Sequence, residues 1–375
     1  MEQFSFEELS RYPDVQADNL FASDAADRLL LEEAAGDLTV AGDNDVVIIG
    51  DRYGALTLGA AAMFNPGRIR VHQDSITGEM ALDSNAQRLA PDAGYMHYGL
   101  GEELLAGARV VLMQLPRSLE ALAEIADAVA RYGADDVVLY AGGQVKHMSL
   151  AMNEVLGRYF GSVQAGLGKR KARVLTSREV LRPQSPSEYP ARQFHPGLGL
   201  WICAHGAAFA GTKVDLGTRF LLKFLPKTGI ESGTAVDLGC GTGLIAAELA
   251  RLKPGLEVIA TDQSAAAVDS AAATAEANGL SARVSAVRDD AMATFEDASA
   301  GLIVCNPPFH IGASVHAGAA LKLFDAAARV LRPGGELWTV YNSHLRYRPQ
   351  LEKTVGPTEQ LGRNPKFTVT RSIRR

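Results

Sequence analysis

A chain of 375 residues, 47 % hydrophobic and 21 % charged, is too long for one average domain and fits two, each with its own core. That apolar content excludes disorder as the main state, and runs such as Val46-Val47-Ile48-Ile49 fall far short of the ~20 residues that span a bilayer, so no membrane partner is expected. Net charge is −6, but thirteen Asp/Glu against Arg11 and Arg28 give the first 51 residues −11 and leave +5 on the other 324.

From residue 41 onward, short β-branched runs alternate with Ala/Leu-rich helical stretches, the rhythm of a parallel sheet covered by helices on both faces. Strands are expected at 46–50, 69–73, 109–115 and 136–140, with helices of the 119–132 kind between them. Three prolines within residues 182–190 cannot sustain a helix or a central strand and read as a linker. The rhythm then returns, with strands at 234–239, 257–262, 281–287, 301–306 and 336–342, and helices at 243–253, 264–278 and 317–331. The expectation is an α/β protein of two domains, 1–185 and 186–375.

One half can be laid on the other as a duplication. Val47-Ile-Ile-Gly50-Asp-Arg-Tyr-Gly54 falls on Val236-Asp-Leu-Gly239-Cys-Gly-Thr-Gly243, and His72-Gln-Asp-Ser75 on Thr261-Asp-Gln-Ser264. The chemistry differs. Arg52 stands where the second half has Gly241, and Gln114-Leu-Pro-Arg117 where it has Asn306-Pro-Pro-Phe309. One half reads as the working domain and the other as a copy that kept the fold and lost the site.

Ala235-Val-Asp-Leu-Gly239-Cys-Gly241-Thr-Gly243 is a buried strand, a glycine turn and a helix start. Many nucleotide cofactors use such a loop, so spacing must separate them. The dinucleotide fingerprint wants glycine at position 244, where Leu244 stands, and no Gly-Lys-Ser/Thr follows for a phosphate loop. Asp237, inside the strand, suits the ammonium of an amino-acid moiety better than a pyrophosphate. Asp262, about 20 residues past the loop, ends the second strand where it can accept two ribose hydroxyls. Asp290-Ala291 follows the third strand, where an adenine amine could be met. In that order these residues, with Cys240 and Gln263 beside them, favour S-adenosylmethionine, although each carboxylate taken alone also reads as a cap or turn former.

Asn306-Pro307-Pro308-Phe309-His310 follows the fourth strand. Two prolines stiffen the turn, so the Asn306 side chain and the Pro307 carbonyl can converge on one point. A planar amine is a poor nucleophile because its lone pair is delocalised; two acceptors on its N–H bonds direct that lone pair and stabilise the charge growing on nitrogen. Phe309 would stack on the base. His310 reads either as a base for the released proton or as a packing or RNA contact.

On these residues, together with Lys213-Val-Asp-Leu-Gly217-Thr-Arg-Phe-Leu-Leu222 and the ending from Asn342 to Lys366-Phe-Thr-Val, the chain resembles the class I S-adenosylmethionine-dependent methyltransferases of the "small" superfamily. More narrowly, it resembles the tandem-domain bacterial ribosomal RNA guanine-N(2) methyltransferases. The resemblance implies two Rossmann-like domains with seven-stranded, mostly parallel sheets. It implies cofactor binding by Gly239, Gly241, Asp262 and Asp290, guanine binding by Asn306, Pro307 and Phe309, and a first domain that binds RNA or supports the second without a cofactor of its own. The chain departs from the family in its acidic start and in Val287-Arg-Asp-Asp-Ala291, where a polar stretch is expected. Two rivals stay open: methylation of another planar nitrogen, in adenine or a protein glutamine, and a catalytically idle RNA-binding or assembly protein.

The positive surplus gathers at 158–182, which includes Lys169, Arg170 and Lys171, and at 346–375. Such segments suit local phosphate contact with ribosomal RNA and equally suit solvated surface. The acidic start is unlike a secretory signal, so the expected address is the cytoplasm. Cys203, Cys240 and Cys305 lack C-x-x-C spacing and His195 and His205 add too few ligands, so no disulfide or metal is expected. The expected state is a monomer.

Overall fold

The computed structural model describes residues 4–14, 16–17, 19–307 and 313–375. The chain forms two compact units, Met1–Glu188 and Tyr189–Arg375. In the first, β1 (Val46–Ile49), β2 (Ile69–His72), β3 (Tyr95–His97), β4 (Val110–Gln114), β5 (Val138–Gln144), β6 (Phe160–Ala165) and β7 (Ala172–Val180) form one sheet in the order β3-β2-β1-β4-β5-β7-β6. All four residues of β1, Val-Val-Ile-Ile, are buried, as a parallel strand covered on both faces requires.

The second unit opens with a hairpin of β8 (Ala191–His195) and β9 (Leu200–Ala204). Then follow β10 (Ser232–Leu238), β11 (Gly255–Asp262), β12 (Val284–Arg288), β13 (Ala300–Cys305), β14 (Leu331–Asn342), β15 (Thr358–Arg363) and β16 (Phe367–Ile373). Their order, β12-β11-β10-β13-β14-β16-β15, repeats that of the first sheet strand for strand. In each sheet only the last two pairings are antiparallel. The two mostly parallel seven-stranded sheets are therefore those the resemblance implies.

Most expected elements lie within two residues of their places, and the larger shifts have local causes. The strand expected at 281–287 starts at Val284, because the Leu280 carbonyl accepts from the N–H groups of Arg283 and Val284 in a turn. The strand expected at 136–140 runs Val138–Gln144: a turn closed by Val137 N–H on the Ala134 carbonyl delays it, and pairing with β7 carries it through Gly142 and Gly143. β14 begins at Leu331 instead of 336, since a register shift between Ala300 and Leu302 absorbs Arg332-Pro-Gly-Gly335 within the strand. The helix expected at 317–331 is Ala313–Val330. Residues 181–190 hold no regular structure, and Arg182 is tied to the carbonyls of Ala130 and Gly133, 2.7 Å each.

Register fixes where a site can form. Leu238, the last residue of β10, lies opposite Thr261 on one side and Cys305 on the other. The loops starting at Gly239, Asp262 and Asn306 thus leave the sheet at one level. The chain runs from β10 to β11 on one flank while β13 occupies the other, so this edge is the switch point where open α/β sheets form a crevice.

Candidate active site

Gly239, Gly241 and Gly243 all have left-handed backbones, with φ of +75°, +52° and +71°, but for different ends. Gly243 caps the helix Leu244–Leu252, and a Cβ there would lie 2.7 Å from the Ala271 Cα, so it serves packing. Gly239 and Gly241 face open space, with nothing within 4 Å of a Cβ. Asp262 ties the second strand tip to this loop: its Oδ2 accepts from Gly241 N–H at 3.1 Å and its Oδ1 from Ser264 N–H at 3.1 Å.

Beneath the loop Asp237 is fully buried. Its Oδ2 accepts from Ala246 N–H at 2.9 Å, and its Oδ1 has no partner among the described residues. Burial, with the Asp262 charge nearby adding to it, pushes its pKa up to about 8. The same burial raises the Cys240 and Cys305 thiols, with Asp237 and Asp262 adding to the effect, so neither supplies a thiolate nucleophile. Open space over a glycine loop, a strand-tip carboxylate and a buried carboxylate oxygen lacking a donor fit a cationic ligand with a ribose diol, as S-adenosylmethionine is.

One strand over, Asn306 follows β13. Its Nδ2 donates to Asp215 Oδ2 at 3.1 Å and to Thr218 Oγ1 at 2.9 Å. Its Oδ1 is buried with no partner among the described residues, and Pro307 is buried beside it. Pro308, Phe309 and His310 lie outside the described residues. Nothing in the sequence assigns Asp215 or Thr218, within Lys213–Leu222, a role at the site. An Asp just before an apolar run signals a helix N-cap, and Asp215 does cap Leu216–Leu222; its meeting with Asn306, 91 positions away, has no local signal.

Other expected residues sit differently. Asp290 is held by Lys322 Nζ, 2.6 Å from its Oδ1, while buried Asp289 accepts from the N–H groups of Ala293 and Thr294. Ala291 is left-handed at φ +53°, and Gln263 is exposed. Lys169, Arg170 and Lys171 belong to the first unit, exposed at the tip of the β6–β7 hairpin, with Lys169 paired to Glu32 at 2.6 Å. Arg178 pairs with Asp37 at 3.3 Å, so the acidic start offsets part of the basic stretch.

The first unit differs at the corresponding positions. A Cβ at Gly50 would meet the Gln114 carbonyl at 3.5 Å, where the matching Gly239 meets nothing. Gln73 stands in place of Asp262 and donates its amide to the Asp51 carbonyl. Gln114 stands in place of Asn306 and donates to Asp27. Buried Asp51 accepts from the N–H groups of Leu56 and Thr57, the task that Asp237 performs for Ala246 from inside the strand.

The doubled Rossmann-like sheet, with a glycine loop, the Asp262 carboxylate and Asn306 at the switch point of the second unit, is the build of a class I S-adenosylmethionine-dependent methyltransferase. Residues 199–371 match the methyltransferase small domain, and residues 1–180 the RLMG N-terminal domain. "Ribosomal RNA large subunit methyltransferase G" of Pseudomonas aeruginosa is 34 % identical over 367 residues, covering 97 % of this chain and 96 % of that protein. The protein of the same name in Streptomyces coelicolor is 32 % identical over 377 residues, covering 98 % and 97 %. The chain belongs to this ribosomal RNA large subunit methyltransferase G family. A solved structure, the T. thermophilus 16S rRNA N2 G1207 methyltransferase (RsmC) in complex with AdoMet and guanosine, superimposes with a TM-score of 0.73 at 24 % identity, covering 94 % of this chain and 92 % of that one, and so shares its fold.

Proposed function

We propose that the second unit transfers the methyl group of S-adenosylmethionine to the exocyclic 2-amino group of a guanine in large-subunit ribosomal RNA. One observation carries this reading: a carboxamide at the crevice whose nitrogen is fully engaged and whose buried oxygen has no partner among the described residues. A buried acceptor without a donor costs about 1–3 kcal/mol, so such an atom marks a place that a ligand donor fills.

An aryl amine offers two N–H donors in the plane of its ring. Asn306 Oδ1 accepts one and the Pro307 carbonyl the other, which fixes the nitrogen with its lone pair facing the methyl donor. Both acceptors also stabilise the positive charge that grows on nitrogen as the N–C bond forms and the S–C bond breaks. Bound S-adenosylmethionine supplies the electrophilic methyl on a sulfonium. Asp237 takes its ammonium and Asp262 its ribose hydroxyls, while Gly239 and Gly241 give the backbone room to approach. The methylated amine is acidic enough to release its proton to water. Phe309 stacks on the base, which is unpaired or flipped out of its helix to reach the pocket.

Support for the ribosomal target comes from the names of the relatives, and for guanine from the guanosine bound to the structural neighbour. The first unit, where Gln73 and Gln114 are tied to Asp51 and Asp27, takes no cofactor and serves RNA binding or support. The test is methyl transfer to ribosomal RNA from a deletion strain, with nucleosides read by mass spectrometry. N(2)-methylguanosine is the expected product. Methylated adenine, methylated protein glutamine, or no binding of S-adenosylmethionine would each overturn the reading.

A further inference from the structure

An asparagine carboxamide can sit in its pocket two ways, related by half a turn about its last bond. Only one is productive for an amine acceptor. With the oxygen forward, the amide accepts an N–H from the base; with the nitrogen forward, two N–H groups face each other and the base is repelled. Something must therefore decide which end of Asn306 points where.

We propose that Asp215 and Thr218 make that decision and are positioning residues for methyl transfer. The inference rests on the proposed role of Asn306. Asp215 Oδ2 accepts three N–H groups: Gly217 N at 2.8 Å, Thr218 N at 3.0 Å and Asn306 Nδ2 at 3.1 Å. An ionised carboxylate has no proton to donate, so it binds the NH2 end of the carboxamide and rejects the oxygen end. Thr218 Oγ1 takes the second amide hydrogen at 2.9 Å. With both hydrogens spent, Oδ1 is left as the buried acceptor.

The local chain is built for this approach. Capping by Asp215 starts the helix Leu216–Leu222, and the cap fixes the carboxylate before any substrate arrives. Gly217 is the residue that lets the helix come close: a Cβ there would lie 3.0 Å from Asp215 Oδ2, 3.3 Å from the Phe367 ring and 3.6 Å from Asn306 Oδ1. The first unit ties the same strand tip to the same helix turn, Gln114 to Asp27, with Asp24 as the cap. There the carboxamide serves only to join two elements. In the second unit the shorter Asn306 is turned by the same kind of tie into a directed acceptor.

The test uses the full chain, with single-turnover methyl transfer to unmodified ribosomal RNA, binding of adenosylhomocysteine by calorimetry, and thermal melting. Asp215→Asn keeps an oxygen for the helix cap but loses the acceptor-only charge. It is expected to slow transfer about 10- to 100-fold with adenosylhomocysteine affinity and RNA KM within about threefold. Thr218→Val should also slow transfer, and Thr218→Ser should restore it. The deciding measurement is the pair Asp215→Asn with Asn306→Ala, which should be no slower than Asn306→Ala alone, because a positioning residue has nothing left to position.

An Asp215→Asn variant as fast as wild type overturns the proposal, as does an Asp215→Asn penalty that persists in the Asn306→Ala background. Those failures leave the proposed function intact, provided that wild type methylates guanine and Asn306→Ala does so about 100-fold more slowly or worse. Wild type without transfer to RNA, or a fully active Asn306→Ala, removes the function and this inference together.

Discussion

Substituting Asp237→Asn tests whether the buried acid under the glycine loop is a cofactor group or a piece of packing. Its pKa of about 8 leaves it about nine-tenths protonated at pH 7. A ligand ammonium favours the ionised form, so binding must expel a proton from this site. Affinity for adenosylhomocysteine should then rise about ninefold between pH 6 and pH 7, with release of about 0.9 proton at pH 7, a window that ends below the titration of the ligand's own amino group. Calorimetry in buffers of different ionisation enthalpy reads both quantities. Asp237→Asn keeps an acceptor for Ala246 N–H but should remove the pH dependence and lower affinity at pH 7 at least about tenfold. Folding gives the opposite sign: the native acid holds a proton that the unfolded chain, at an ordinary pKa of 3.8, has released. This stability is fully present below about pH 4 and is lost as pH rises toward 8, a loss the asparagine variant lacks. Affinity independent of pH from 6 to 7 in the wild type would refute the assignment of Asp237 to the ammonium.

Asn306→Ala should lower single-turnover methyl transfer by about 100-fold or more while adenosylhomocysteine affinity stays within a few-fold, because the acceptor acts on the substrate amine. Gly243→Ala should cost about 1–3 kcal/mol in thermal stability, since its φ is +71° and its Cβ would meet Ala271 at 2.7 Å; Gly241→Ala, facing open space, should cost about 1 kcal/mol of stability but weaken cofactor binding measurably. Reversing charge at Arg170 and Lys171, exposed at the β6–β7 tip, should weaken RNA binding in filter assays and lower its salt slope by about one to two; an unchanged slope marks the tip as solvated surface.

The central parallel strands were legible because they are buried on both faces and so rich in β-branched residues: Val46–Ile49 and Ala300–Cys305 have no polar position to blur the signal, whereas the short parallel strand Tyr95–His97, only partly buried, was not read. The antiparallel edge was not. β6 and β15 expose residues along most of their length, and Phe-Gly-Ser-Val-Gln-Ala or Thr-Glu-Gln-Leu-Gly-Arg carries no buried run to read. The helix Ala25–Glu33 was hidden by the acidic composition that marks it, since Asp24 and Asp27 are its capping box and not a solvated charge run. Within the site, spacing located Gly239, Asp262 and Asn306, whose loops leave adjacent strands. It could not show that Asp290 is held by Lys322 or that Asp215 reaches Asn306, because both pairs close across elements far apart in sequence.

The duplication separates what the fold needs from what a site needs. Asn85 and Thr274 occupy matching places in the two units, and each clasps the backbone of an extended segment through both its N–H and its carbonyl, Ser10 in one unit and Cys203 in the other. Gly54 and Gly243 match as helix caps, and a Cβ on either would meet a matching neighbour, Leu82 or Ala271, at 2.8 and 2.7 Å. These features recur because docking and packing recur. The strand tips differ in their buried acceptors: in the first unit Gln73, matching Asp262, donates to the Asp51 carbonyl and Gln114, matching Asn306, donates to Asp27, whereas in the second Asp237 Oδ1 and Asn306 Oδ1 are buried with no partner among the described residues. Satisfying a buried polar atom internally stabilises a fold and forecloses binding; leaving it unmet costs stability that a ligand returns. A copy released from catalysis would gain stability from each substitution that closes such a gap, so a first unit with the same strand order, its Gln73 and Gln114 tied within the chain, is the outcome that the proposed loss of its site implies.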